Sequence, residues 1–297
     1  MTNLKFIFFA LLAAVLYALN APFSKLLLEE VPPAVMAGLL YLGAGIGMAL
    51  VGGVRRLRQA AQTEAPLDRS DFPYVLAMIV LDIAAPILLM LGLSRTGAAA
   101  ASLLNNFEIV ATSLIAFVIF REKVSGRLWT AIGLITLSCA LLSAEGVILG
   151  GEQLEFSGGS LLVLGACVCW GVENNCTGKL SAKDPLQVVV VKGIFSGIGA
   201  LLTALLAGEA IPRSPAIFGA LLLGFVAYGL SIYFYVSAQR GLGAAKTSAY
   251  YAVAPFVGSA ISLVLYRELP SVVFLCALAV MIVGTVLASE NQSDLER

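Results

Sequence analysis

Apolar residues run along this chain in long blocks separated by short polar clusters. A helix needs about 20 apolar residues to cross the hydrocarbon core of a bilayer. Ten blocks meet that length: 5–27, 34–54, 72–93, 97–119, 127–144, 157–179, 185–207, 214–238, 243–265 and 270–289. The pattern predicts an all-α polytopic membrane protein with ten transmembrane helices. The longest polar break, 55–71, holds Arg55, Arg56, Arg58, Glu64, Asp68, Arg69 and Asp71. No break is long enough for a soluble domain. Lys5, the apolar run Phe6 to Leu19 and the small residues after it also have the layout of a secretory signal. The repeat described below pairs this block with one in mid-chain, so a span is expected.

Basic residues orient the spans. With the N-terminus in the cytoplasm, the inner side carries Lys5, Arg55, Arg56, Arg58, Arg69, Arg121, Lys123, Arg127, Lys179, Lys183, Arg240 and Arg297. The outer side carries Lys25, Arg95, Arg213 and Arg267. Twelve against four satisfies the positive-inside rule with both termini cytoplasmic, in a bacterial inner membrane. The segment 145–155, with Glu145, Glu152 and Glu155, then falls outside.

Composition agrees. Hydrophobic residues make up 60% and charged residues 12%, against roughly 25% charged in soluble domains. Mean hydropathy is +0.96. Net charge is zero, which gives no sign of a nucleic-acid partner. The five cysteines, Cys139, Cys167, Cys169, Cys176 and Cys276, fall in apolar stretches and read as small buried hydrophobes. Histidine is absent, so any proton relay must use carboxylates, Lys or Tyr.

The two halves of the chain match. Gly97, Ala98, Ser102, Arg121 and Glu122 correspond to Gly243, Ala244, Ser248, Arg267 and Glu268 at a constant offset. Nearer the start, Asn20, Lys25 and Leu26 correspond to Asn174, Lys179 and Leu180. The division is 1–146 and 147–297, five spans each. Five is odd, so the second unit enters the membrane from the opposite face. That is an inverted repeat, an arrangement that places a substrate site near the midplane between units.

These pairs, with Trp170-Gly171 and the Arg121-Glu122 and Arg267-Glu268 turns, resemble the drug/metabolite transporter superfamily, EamA type, over nearly the whole chain. Within it the chain is similar to YddG-like amino acid exporters. The resemblance implies a basket of ten helices. Its central cavity would be lined by spans 1, 3, 4, 6, 8 and 9, with spans 5 and 10 peripheral. It also implies a basic residue early in the second span of each half. Lys192 fits in the second half; the first offers only Gly38, Leu39 and Leu40.

Ionisable residues inside a membrane are costly and mark candidate sites. Asp82 lies mid-span, four residues before Pro86. It suits a substrate ammonium, a coupling proton or a buried hydrogen bond to a neighbouring helix. Span 4 carries Ser102, Asn105, Asn106 and Glu108, with Asn105 and Glu108 on one face and Ser102 and Asn106 on another. Such groups line a cavity or join helices. In span 6, Trp170, Glu173, Asn174 and Thr177 form one stripe, matched in span 1 by Tyr17, Asn20 and Ser24. An aromatic beside an amide suits an amphipathic ligand. Tyr228 and Tyr250 lie near mid-span, and Lys246 contacts a substrate carboxylate or snorkels to the inner surface. Gly43, Gly45, Gly47, Gly193 and Gly197 allow close helix approach.

The expectation is an exporter of small metabolites, foremost aromatic or other apolar amino acids, working by alternating access. A multidrug or other metabolite permease is the alternative. The chain has no HExxH, GxSxG, Walker or Asp-rich diphosphate motif, which disfavours an enzyme or an ATPase; a scaffold without flux is the third reading. No cofactor or metal is implied. The expected partners are a small-molecule substrate and the bilayer, with the chain as a monomer or homodimer.

Overall fold

A computed structural model describes residues 2–57, 65–119, 125–145, 158–177, 180, 183–242, 247 and 250–294. Its elements are helical. They are α1 (Thr2–Ala18), α2 (Asn20–Leu27), α3 (Pro33–Leu57), α4 (Phe72–Leu93), α5 (Ala98–Leu104), α6 (Phe107–Ile119), α7 (Gly126–Ser143), α8 (Gly158–Thr177), α9 (Pro185–Leu206), α10 (Ala216–Gly224), α11 (Ser231–Leu242), α12 (Ala254–Tyr266) and α13 (Val272–Asp294). A 3₁₀ turn, Arg69–Asp71, leads into α4, and a π-helical segment, Phe225–Leu230, joins α10 to α11.

Among the described residues, seven helices are long and apolar enough to cross a membrane, and two apolar helices, Ala254–Tyr266 and Val272–Ala288, are shorter. Several of the apolar blocks read from the sequence are interrupted within the span. Block 5–27 is divided at Leu19 into α1 and α2, and block 97–119 at Asn105 and Asn106 into α5 and α6. Block 214–238 passes through the π segment. A turn at Ala252–Val253 also precedes α12. Two of these four interruptions have a proline beside them: Pro22 has no N–H to give the Ala18 carbonyl, and Pro255 has none for the Tyr251 carbonyl. At Asn105–Asn106, the Asn106 side-chain amide bonds the Leu103 carbonyl at 3.4 Å and competes with the helix ladder.

Helix pairing is reciprocal between the halves. α3 lies against α9, α7 against α13, and α5 against α12. The pairing of α4 with α8 has its counterpart in that of α1 with α11. Glycine makes the central crossing possible. A Cβ on Gly193 would stand 2.4 Å from the Gly45 nitrogen, and one on Gly224 would stand 2.0 Å from the Leu40 carbonyl oxygen. Cys139 and Cys167 are buried, whereas Cys276 is exposed.

The two ends of the bundle are tied differently. At one end the Lys25 ammonium donates to the Leu93 carbonyl at 2.6 Å and the Thr96 carbonyl at 2.9 Å, and Tyr266 donates to the Pro22 carbonyl at 2.8 Å. At the other end Lys183 pairs with Asp68 at 2.8 Å and Asp71 at 2.9 Å. Beside that pair the Asp184 N–H donates to the Ala65 carbonyl at 2.9 Å, and the Leu67 N–H to the Gln187 side chain at 2.9 Å. Lys183 holds the Asp68 carboxyl well below the usual carboxylate range, with Ser70 adding to it. The same contacts, Asp68 first, raise the Lys183 ammonium. A depressed carboxyl contributes above its ordinary value of 3.8 and loses that contribution as pH falls through the lowered value. A raised ammonium contributes below its ordinary 10.5 and loses it as pH climbs through the raised value. The clasp therefore holds between those limits. Lys183→Met is expected to speed amide exchange at Leu67 and Asp184 at pH 7, measured by hydrogen–deuterium exchange; unchanged protection there would contradict this.

Candidate functional site

Three charged side chains meet inside the bundle. Asp82 on α4 is fully buried and Glu173 on α8 is 2% exposed. Lys192 on α9 lies between them, its ammonium 3.0 Å from the Asp82 carboxylate and 3.1 Å from that of Glu173. Tyr41 on α3 donates to the second Asp82 oxygen at 2.9 Å, and the Trp170 indole approaches the Tyr41 hydroxyl. Four helices thus converge on one cation and two carboxylates. Buried charges of this kind are costly in hydrocarbon and mark a candidate binding centre.

An aromatic wall continues from it. The rings of Tyr41 and Tyr228 lie 5.2 Å apart, Tyr228 and Tyr17 6.0 Å, and Tyr17 and Tyr251 5.8 Å. The Asn20 amide donates to the Tyr228 hydroxyl at 3.0 Å, and Ser24 donates to Asn20 at 3.0 Å. The interruptions in the spans gather here. Tyr17, Asn20, Ser102, Asn105, Pro255 and Gly258 surround a void of about 10 Å³, room for about one water. The expected central hollow is therefore closed at this level. Removing the Tyr228 hydroxyl leaves the buried Asn20 amide without its acceptor. Tyr228→Phe is expected to cost about 1 kcal/mol, read from thermal unfolding in detergent; an unchanged midpoint would show the bond to be energetically idle.

The candidates from the sequence separate into groups. Asp82, Trp170 and Glu173 belong to the ionic cluster. Tyr17, Asn20, Ser102, Asn105 and Tyr228 border the small void or the aromatic wall. Ser102 spends its hydroxyl on the Ala98 carbonyl at 2.8 Å. The Asn106 amide serves the Leu103 carbonyl at 3.4 Å, so it too is spent on the backbone of its own turn. Asn105 and Glu108 no longer share a continuous helix face. Instead the Asn174 amide donates to Glu108 at 2.6 Å, with Thr112 at 3.4 Å, and Asn174 itself is exposed. This polar pair joins α6 to α8. Tyr250 is 36% exposed, as is Val253 three residues on; it is Tyr251 that joins the aromatic wall. Lys246 lies outside the described residues.

Tyr41 and Lys192 complete the site. Lys192 was visible as a lone cation within an apolar block, but nothing in its spacing pointed to Asp82. Tyr41 was a single hydroxyl in a block otherwise read for its glycines.

Interrupted apolar helices around a buried ionic centre are the build of a polytopic solute transporter. Comparison with known proteins agrees. The model of the EamA-like transporter family matches residues 4–144 and again 157–290. The chain belongs to this family. It is 25% identical over 300 residues to an uncharacterized transporter of Methanothermobacter thermautotrophicus, covering 94% of this chain and 84% of the relative. It is also 24% identical over 212 residues to the uncharacterized transporter YyaM of Bacillus subtilis, covering 69% of this chain and 68% of that protein. A solved crystal structure shares the fold, with a TM-score of 0.67 at 17% identity over 100% of this chain and 98% of the other. Neither relative's name gives a substrate, so the narrower likeness to YddG-like exporters gains no support.

Proposed function

We propose that this membrane transporter carries small metabolites bearing an ammonium group beside apolar bulk, amino acids foremost, outward across a bacterial inner membrane by alternating access. The observation that carries the reading is the buried cluster of Lys192, Asp82 and Glu173. A substrate ammonium or a proton can compete with Lys192 for its carboxylates, and the Tyr17, Tyr41, Tyr228 and Tyr251 rings offer packing for a side chain. The groups facing the cluster from neighbouring elements are Tyr41, Tyr228, Trp170 and, further off, Glu108. Occupancy by proton or substrate in turn gives an exchange cycle.

The frame for that cycle is ten spans in two inverted units, 1–146 and 147–297, with both termini cytoplasmic. Its supports are the residue pairs at constant offset, the reciprocal helix pairing and the two separate stretches matched by the family. With the small void nearly closed, the gate at Lys25, Leu93 and Thr96 and the clasp at Lys183 are the elements that must part alternately. A drug or other metabolite permease of the same family shares every one of these features.

The test is counterflow into proteoliposomes preloaded with unlabelled solute, against labelled amino acids, amines, sugars and nucleobases. Ammonium-bearing solutes are expected to exchange, and an imposed proton gradient is expected to change their flux. Exchange confined to solutes lacking an ammonium would refute the proposed substrate class, and indifference to the gradient would remove the proton from the cycle.

A further inference from the structure

A second site stands on the outside of the bundle, apart from the ionic centre. Along α3 and the facing α10 runs a groove of about 610 Å³, within the range of small-ligand pockets. Its lining includes Ile46, Leu50, Val54, Leu222 and Phe225, and it ends at Arg55. Leu50 is 67% exposed and Leu222 63%, so these side chains meet whatever surrounds the bundle. From Gly43, at its inner end, to Arg55 the helix climbs roughly 18 Å. Half of a hydrocarbon core is about 15 Å. The groove thus spans one leaflet, from its middle to its polar boundary.

The boundary carries a fixed cation. The Arg55 guanidinium lies 4.8 Å over the Tyr233 ring and donates to the Tyr233 hydroxyl. That contact uses one of its five N–H donors. Among the described residues no carboxylate pairs with it. A stacked guanidinium with donors to spare is suited to a phosphate oxygen.

We infer that the groove between α3 and α10 binds an anionic phospholipid of the leaflet bordered by Arg55. One acyl chain lies along Ile46, Leu50 and Leu222 down to Phe225, and the headgroup phosphate rests on Arg55. Phe225 opens the π segment whose Tyr228 meets Asn20, so the lipid lies on the outer side of an element that also builds the central site.

The test uses the full chain, purified in detergent and delipidated, with phosphatidylglycerol or phosphatidylcholine added back and retention read by native mass spectrometry. Wild type is expected to retain one phosphatidylglycerol at least about tenfold more tightly than phosphatidylcholine. Arg55→Gln is expected to erase that preference. Leu50→Trp, which fills the groove, is expected to lower retention of both, and thermal unfolding checks that both variants are folded. Equal retention of the two lipids by wild type would overturn the inference. So would retention unaffected by both folded variants, or a dimer that closes this face and excludes lipid.

Discussion

Lys192→Met is expected to abolish exchange and to destabilise the protein by about 3–5 kcal/mol, the usual result of removing one partner from a buried ion pair. The reason is local. Asp82 is fully buried and Glu173 nearly so, and Lys192 pairs with both. Methionine keeps the length of the side chain and removes the charge. Two buried carboxylates then lose the cation they share, and at least one must take a proton or draw in water. Thermal unfolding in detergent measures the loss. Adding Asp82→Leu to the variant is expected to recover part of the stability, because it removes one of the stranded carboxylates. It is not expected to recover exchange. A single variant as stable as wild type would mean that the cluster is neutralised by some other group.

Gly193→Leu is the second large effect. A Cβ at this position lies 2.4 Å from the Gly45 nitrogen, 2.5 Å from the Gly45 Cα and 2.8 Å from the Tyr41 carbonyl oxygen. These are backbone atoms and cannot rotate aside, so α3 and α9 must separate. The expected cost is about 3 kcal/mol, the upper end for overpacking. Separation also draws Tyr41 away from Asp82, since Tyr41 rides on α3. Gly133→Leu is the matched control, because a Cβ there meets nothing within 4 Å. Equal unfolding midpoints for the two variants would contradict the close crossing.

The sequence made the membrane class legible because the bilayer imposes one length on every span, and that length shows in the apolar blocks. The close crossing was legible too, through Gly45, Gly193 and Gly197. Asp82, Glu173 and Asn20 stood out because a polar side chain within an apolar block needs a partner. The partners themselves were not legible. Asp82 and Lys192 belong to different halves, and helical spacing relates only neighbours on one helix. That rule also misled in span 4. Asn105 and Glu108 were placed on a shared face by counting through a helix that the Asn105–Asn106 interruption divides. Tyr250 and Tyr251 show the same limit, because one residue turns a helix by about 100° and nothing in the sequence says which of two adjacent rings points inward. The π segment has no proline to announce it; it became visible only with the packing of Tyr228 on Tyr17 and Tyr41.

The most direct measurement is concentrative counterflow by wild type and Asp82→Asn, reconstituted side by side after matched folding by thermal unfolding. Wild type should drive a labelled ammonium-bearing solute transiently above its equilibrium level, while the variant, whose cluster has lost one ionisable carboxylate, should reach equilibrium only as slowly as empty liposomes. Equal overshoot by both proteins would take the cluster out of the transport path and contradict the account at its centre.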